Sequence, residues 1–134
     1  MHKNMYVNLP VKDLARSMVF FQAMGYHFNP DFTNDMGAGL VLGENLYAML
    51  LTQPFFQGFT PKPIGDATAQ TAVIIALDCQ DRAEVDALVA KAKAAGATTP
   101  REPQDLGFMY QHGFHDLDGH VWELFYMSGM PPKN

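Results

Sequence analysis

The sequence predicts an α+β fold made of two βαβββ modules, each with a four-stranded mixed sheet. The main observation is an internal repeat, because a strand, a helix and three further strands follow one another twice. The halves also match at single positions, Asp13 with Asp81 and Gly25 with Gly96, and each half ends in a predicted hairpin. A sheet of this kind leaves one apolar face uncovered. We therefore expect the two sheets to curl around a shared cavity.

The first module spans about residues 4–52 and begins with a short strand. Pro10 is expected to close that strand because proline cannot donate to a sheet ladder. Asp13 then caps a helix with apolar residues at helical spacing, and Gly25 ends it in the left-handed conformation that glycine tolerates. The strands of this half are expected at residues 5–9, 26–32, 38–42 and 46–51.

A linker of residues 53–70 separates the modules and carries aromatic side chains, among them Phe55 and Phe59, between prolines and glycines. We expect at most one helical turn in it. Three roles for its aromatics are open: a lid over a pocket, the cover of a subunit contact, or packing on their own domain.

The second module spans about residues 71–127. A strand is predicted at residues 71–79, and Asp81 with Glu84 three residues later forms a capping-box pattern at the start of a helix. Gly96 is the expected end of that helix. A strand at residues 98–101 and a hairpin at residues 108–127 complete the module.

Composition limits the classes of function. With 48% apolar and 17% charged residues, the 134-residue chain is typical of one globular domain. The net charge is −5 and the basic residues are scattered, which argues against nucleic acid as a partner. The single cysteine, Cys79, excludes an internal disulfide, and we expect it to be a buried apolar residue. The absence of a signal-peptide pattern and of a long apolar run predicts a cytoplasmic protein without a membrane partner.

The last hairpin carries the candidate chemistry. A four-residue loop from Asp116 to Gly119 would set His112 opposite Glu123, with about 5 Å between the Cβ atoms. A carboxylate among apolar neighbours needs a cation, a metal ion, a hydrogen-bond donor or a proton. We therefore predict Glu123 and His112 as catalytic or metal-binding residues. The alternative is that Glu123 lies at a sheet edge and reaches water.

Two segments resemble known motifs. Residues 11–17, Val-Lys-Asp-Leu-Ala-Arg-Ser, followed by Phe20-Phe21 and Met24-Gly25, resemble the opening of a vicinal oxygen chelate module. Residues 116–124, Asp-Leu-Asp-Gly-His-Val-Trp-Glu-Leu, resemble the closing motif of that superfamily. Its members include glyoxalase I, bleomycin-resistance proteins, fosfomycin-modifying enzymes and extradiol dioxygenases. The resemblance covers nearly the whole chain and implies the two-module fold and a homodimer.

The resemblance also implies where a metal ion would bind. Metal-dependent members carry ligands on the first and last strands of each module, and Glu123 matches one of these four positions. The other three fall at Tyr6, Leu50 and Ile74, none of which is a usual ligand. One carboxylate cannot hold a divalent ion against water. If a metal ion binds at all, zinc, nickel, manganese and iron are the candidates. A site rebuilt from Glu123 and the nearby histidines, and an ordinary surface role for those histidines, are both open.

Two functions follow, and the sequence does not decide whether the protein is an enzyme. One is a metal-independent protein of the bleomycin-resistance kind that binds a small, largely apolar or aromatic molecule. The other is a lyase, isomerase or dioxygenase in which Glu123 acts as a base or as the retained metal ligand. The residues expected to contact the ligand are Tyr6, Asn8, Leu50, Phe55, Phe59, Ile74, Tyr110 and Phe125.

Overall fold

Each half of the sequence folds into a four-stranded mixed sheet, which confirms the predicted fold class. The computed structural model describes residues 1–133, and these divide into two compact units, one that ends at Gly65 and one that begins at Asp66. The strand orders are β1-β4-β3-β2 and β5-β8-β7-β6. In both sheets the first and last strands of the unit run parallel, and the other neighbours are antiparallel. Neither sheet closes into a barrel.

The elements of the first unit follow the predicted order. They are β1 (Met5–Val11), α1 (Leu14–Ala23), β2 (His27–Asn29), a 3₁₀ turn (Pro30–Phe32), β3 (Gly37–Gly43), β4 (Leu46–Thr52) and α2 (Gln53–Gln57). The second unit contains β5 (Ile74–Asp78), α3 (Arg82–Ala94), β6 (Gln104–Asp105), β7 (Met109–His115) and β8 (Val121–Met127). None of the helices within residues 1–133 has the length and hydrophobicity that a membrane span requires.

The two long helices begin and end as their sequences predict. The Asp13 Oδ1 atom accepts a hydrogen bond from the Arg16 amide at 3.1 Å, and the Asp81 Oδ1 atom accepts one from the Glu84 amide at 2.8 Å. The carboxylate of Glu84 accepts from the amide of Gln80 at 2.9 Å, one residue before the position of an ideal capping box. These bonds satisfy amides that have no partner inside a helix.

Prolines explain where the predicted strands are wrong. Pro10 does not end β1, which continues to Val11, because β1 is an outer strand and an outer strand tolerates a residue that cannot donate. The strand expected at residues 98–101 is reduced to one bridge between Thr98 and His115. Pro100 and Pro103 interrupt this segment, and pairing resumes only at β6.

Side chains alternate between a helix-covered core face and an uncovered face on each sheet. In the first unit the core face carries Leu9, Ala38, Leu40, Ala48 and Leu50, all buried, on the side of α1. In the second unit Phe114, Trp122 and Leu124 are buried on the side of α3, whose buried residues are Val85, Val89 and Ala92. The residues between them on each strand point to the other face.

Candidate functional site

The loop between β7 and β8 has five residues instead of the predicted four. Strand β7 ends at His115 and β8 begins at Val121, so the loop also includes His120. The amide of Asp116 donates to the carbonyl of His120 at 3.0 Å across the base of this loop. His115 therefore pairs with Val121, and Glu123 lies opposite Gly113. The predicted pairing of His112 with Glu123 is wrong, because a shift of one residue moves a side chain to the other face of the sheet.

Asp116 is the cause of this register. Its Oδ1 atom accepts hydrogen bonds from the amides of Asp118 and His120, both at 3.0 Å, and its Oδ2 atom accepts one from Trp122 Nε1 at 2.9 Å. Burial raises the pKa of the Asp116 carboxyl above its usual value, while His120 and these hydrogen bonds act in the opposite direction. One carboxylate thus organises the loop and fixes the only tryptophan.

Glu123 lies in the middle of its sheet. Strand β8 has neighbours on both sides, so the alternative of an edge position is excluded. Across the ladders Glu123 faces Ala76 on β5 and Gly113 on β7. A Cβ atom on Gly113 would lie 3.5 Å from Glu123 Oε1, which shows that the carboxylate extends over the glycine.

We call the side of this sheet that points away from α3 the Glu123 face. Ile74 and Phe125, both predicted ligand contacts, lie on it, since they alternate in register with Glu123. Ile74 is 56% exposed, and Glu123 and Phe125 are half-buried. Within residues 1–133 the Glu123 carboxylate has no hydrogen-bond or ion-pair partner. Asp78, Gln111 and His115 share this face at neighbouring ladder positions, so Glu123 is an unpartnered carboxylate on a face that mixes polar and apolar side chains.

His112 and Tyr110 lie on the opposite side of the sheet from Glu123. The His112 Nε2 atom is 3.0 Å from the carbonyl oxygen of Arg101, and because a carbonyl only accepts, this nitrogen carries the proton. The hydroxyl of Tyr110 donates to Asp86 Oδ1 on α3 at 2.6 Å. The structure does not bring His112 and Glu123 together, so the predicted catalytic pair is not formed.

In the first unit, Tyr6 and Asn8 lie on the face that points away from α1. The ring of Tyr6 stacks on that of Tyr47 with 4.8 Å between the centroids, and Tyr6 is 46% exposed. Asn8 pairs with Met49. Leu50 lies on the other face and is fully buried, so the prediction that it contacts the ligand is wrong.

The linker aromatics form a small cluster at the end of the first unit. Phe55 in α2 and Phe59 just after it make an edge-to-face contact with 5.3 Å between the ring centroids. Phe55 is 37% exposed and Phe59 is 70% exposed. The turn behind them is held by the side chain of Gln57, whose Nε2 atom donates to the carbonyls of Thr60 and Lys62.

Comparison with known proteins adds sequence evidence to the fold. Residues 3–41 match the family model of the N-terminal region of bleomycin resistance protein-like proteins. A hypothetical protein from S. aureus is 32% identical over 94% of this chain and 95% of its own, with a TM-score of 0.79. The chain belongs to the vicinal oxygen chelate superfamily. No curated protein matches it.

Two further structures of this superfamily share the fold. A glyoxalase/bleomycin resistance protein/dioxygenase family enzyme from Burkholderia phytofirmans is 22% identical over 91% of this chain and 96% of its own, with a TM-score of 0.75. The fosfomycin resistance protein FosX from Listeria monocytogenes is 22% identical over 100% of this chain and 96% of its own, with a TM-score of 0.68.

The ligand positions that the superfamily resemblance implies can now be placed on the sheets. Glu123 is flanked by Ala76 and Gly113, and in the first unit the equivalent ladder position is Met49, flanked by Asn8 and Gly39. Met49 thus occupies the implied ligand position on β4 that was assigned to Leu50. Like Tyr6 and Ile74, it is not a usual ligand for a hard divalent ion.

A metal centre rebuilt from other residues is also not assembled in the part of the chain that the structure describes. Residues 1–133 contain no group of three His, Cys, Asp or Glu side chains that could hold a metal ion. The donor set therefore does not fit the metal site of metal-dependent members, and Glu123 is the only conventional ligand among the four implied positions.

Cys79 is shielded rather than reactive. Burial, and after it the nearby carboxylate of Glu84, raise the pKa of its thiol to about 11. We expect the folded protein to react with a thiol reagent such as DTNB at pH 7.5 much more slowly than the urea-unfolded chain, since the thiolate is the reacting species. Equal rates in the two states would contradict this assignment.

Proposed function

We propose that this protein binds a small, largely apolar or aromatic molecule on the uncovered faces of its sheets, without the complete metal site of metal-dependent relatives. The observation that carries the proposal is the isolated carboxylate of Glu123 on a central strand. A charged group in such a place is costly unless a partner compensates it. A ligand that donates an N–H or O–H group, or that carries a basic amine, supplies that partner.

The surrounding side chains suit the rest of such a molecule. Ile74 and Phe125 offer apolar area beside Glu123, and Gly113, which has no side chain, lets the carboxylate lie over the sheet. Taken by itself, the uncovered face of the first sheet offers a ligand the aromatic ring and hydroxyl of Tyr6 and the amide of Asn8. Large apolar surfaces with few polar groups are typical of small-molecule sites. The names of the similar proteins, bleomycin resistance and fosfomycin resistance, agree with a small-molecule ligand.

A second candidate function is catalysis by a lyase, isomerase or dioxygenase of this superfamily. The same observation favours it, because an unpartnered carboxylate can remove a proton from a bound substrate. His112 would take no part, since it lies on the other side of the sheet. Glu123 would then act as the base, with Ile74 and Phe125 on the same face as candidate substrate contacts.

Metal analysis separates the candidates that need a metal ion from those that do not. We expect protein purified without a histidine tag to contain far less than one equivalent of zinc, nickel, manganese or iron by elemental analysis. We also expect its melting temperature to be unchanged by EDTA, because one carboxylate holds these ions too weakly. Near-stoichiometric metal with a melting temperature that falls on chelation would overturn the metal-independent proposal.

We further propose a cytoplasmic homodimer with a small molecule as its partner and with no nucleic acid or membrane partner. The resemblance to superfamily members that form dimers supports this. A solution mass close to the 14.9 kDa of one chain would contradict the dimer.

A further inference from the structure

The α3 side of the second sheet contains a cleft that the proposed function does not use. Its walls are the α3 surface from Asp86 to Lys93 and the segment of residues 99–103, and His112 of β7 forms its floor. The cleft has a volume of about 280 Å³, close to the roughly 300 Å³ of the smallest usual ligand pockets. We call it the α3 cleft. Its size suits one small molecule.

Two cations face this cleft without a partner. The side chains of Lys93 and Arg101 both line it, and within residues 1–133 neither makes an ion pair or a side-chain hydrogen bond. The carbonyl of Arg101 accepts a hydrogen bond from His112 Nε2 at 3.0 Å, and this bond anchors the backbone of Arg101 to strand β7. An arginine on a fixed backbone is suited to a planar carboxylate.

Two acidic side chains, Asp86 and Glu102, also line the cleft, so the four charged groups of its lining sum to zero. Asp86 is engaged by the hydroxyl of Tyr110, and the guanidinium of Arg82 lies 4.8 Å from the centre of the Tyr110 ring. Glu102 is exposed. Within residues 1–133 neither acidic group pairs with Lys93 or Arg101, so both cations are available to a carboxylate although the cleft carries no net positive charge.

The remaining lining is apolar. Val89, Ala90 and Pro103 supply a surface against which a compact hydrocarbon body can pack. We propose that the α3 cleft binds a small organic carboxylate, with its charge between Lys93 and Arg101 and its apolar part against these three residues. This second site lies on the opposite side of the sheet from Glu123, so it does not depend on the ligand proposed there.

The test uses sodium benzoate as the probe and ¹H–¹⁵N spectra of the whole protein as the readout. We expect saturable shifts at the amides of Lys93, Arg101 and His112, with a dissociation constant on the order of 1–10 mM for so small a ligand. Benzamide, which has the same ring without the charge, and benzylamine, which has the opposite charge, should both bind more weakly. Equal or tighter binding of either would overturn the proposal.

Matched variants test which side chains bind the carboxylate of benzoate. Lys93→Gln and Arg101→Gln should each weaken benzoate binding by about 1.5- to fivefold, the range that exposed charge pairs contribute. Lys91→Gln, an exposed lysine of the same helix outside the cleft, should leave it unchanged. Glu102→Gln should tighten binding, because it removes the opposing charge.

A variant on the other side of the sheet makes the two sites independently testable. Glu123→Gln should not change benzoate binding if the carboxylate occupies the α3 cleft. Loss of binding in Glu123→Gln, or equal effects of Lys91→Gln and Lys93→Gln, would overturn this proposal. Neither result would remove the isolated carboxylate on which the proposed function rests.

Discussion

Replacement of Asp116 by alanine should lower the free energy of unfolding by about 2–4 kcal/mol, because three buried or half-buried donors lose their acceptor together. These donors are Trp122 Nε1 and the amides of Asp118 and His120. For a chain of this length such a loss corresponds to a fall of roughly 8–15 °C in melting temperature. Thermal unfolding followed by circular dichroism measures it directly.

Two variants show that the effect belongs to this hydrogen-bond network. Asp116→Asn keeps an oxygen for the two amides but turns an NH₂ group toward the indole N–H, so we expect an intermediate loss. Asp35→Ala, in an exposed turn, should change stability by no more than about 0.5 kcal/mol. If Asp116→Ala unfolds at the temperature of Asp35→Ala, the network does not hold the loop.

The loop around Asp116 also shows why the fold was easier to predict than the site. The order of the elements along the chain, the helix caps and the repeat depend on local patterns, such as Asp13 and Asp81 at helix starts, that one stretch of sequence contains. The register of β7 against β8 depends on how far the Asp116 side chain reaches along the loop. A loop of four residues and one of five fit the same turn residues. The difference moves His112 to the α3 side.

The same error of one position occurs in the first unit. The ladder between β3 and β4 shifts between Val41 and Gly43, and the residue equivalent to Glu123 becomes Met49 instead of Leu50. Composition alone could not distinguish the two, because both are apolar. The alternation of burial along β4, with Ala48 and Leu50 fully buried and Met49 half-buried, is the signal that decides.

The sequence contains the residues that form the α3 cleft, but no local pattern in it indicates that they come together. Pro100 and Pro103 break the predicted strand, and this irregular segment is what brings Arg101 over His112. His112 was predicted as the cross-strand partner of Glu123, and the structure places it opposite Leu124 instead. Long-range contacts of this kind depend on packing between elements, which periodicity does not encode.

Replacement of Glu123 by glutamine should abolish the principal binding activity while the fold is retained. Glutamine has nearly the same shape and can still accept a hydrogen bond, so the change removes the charge with little change in packing. A charged hydrogen bond to a ligand contributes about 1.5–3 kcal/mol, and its loss weakens binding about 10- to 150-fold. We expect stability to stay the same or rise slightly, because an uncompensated charge leaves the sheet.

The measurement compares wild type and variant against one panel of small aromatic compounds, half of them with a basic amine and half without. Amine-bearing compounds should raise the melting temperature of the wild type and lose this effect in Glu123→Gln, while neutral compounds should act on both proteins alike. Glu44→Gln, in the exposed turn between β3 and β4, is the matched control and should behave as wild type. If the variant is more stable and keeps every hit, Glu123 is only a tolerated charge. The carboxylate would then have no role in binding, and a site on the Glu123 face would have to depend on apolar contacts alone.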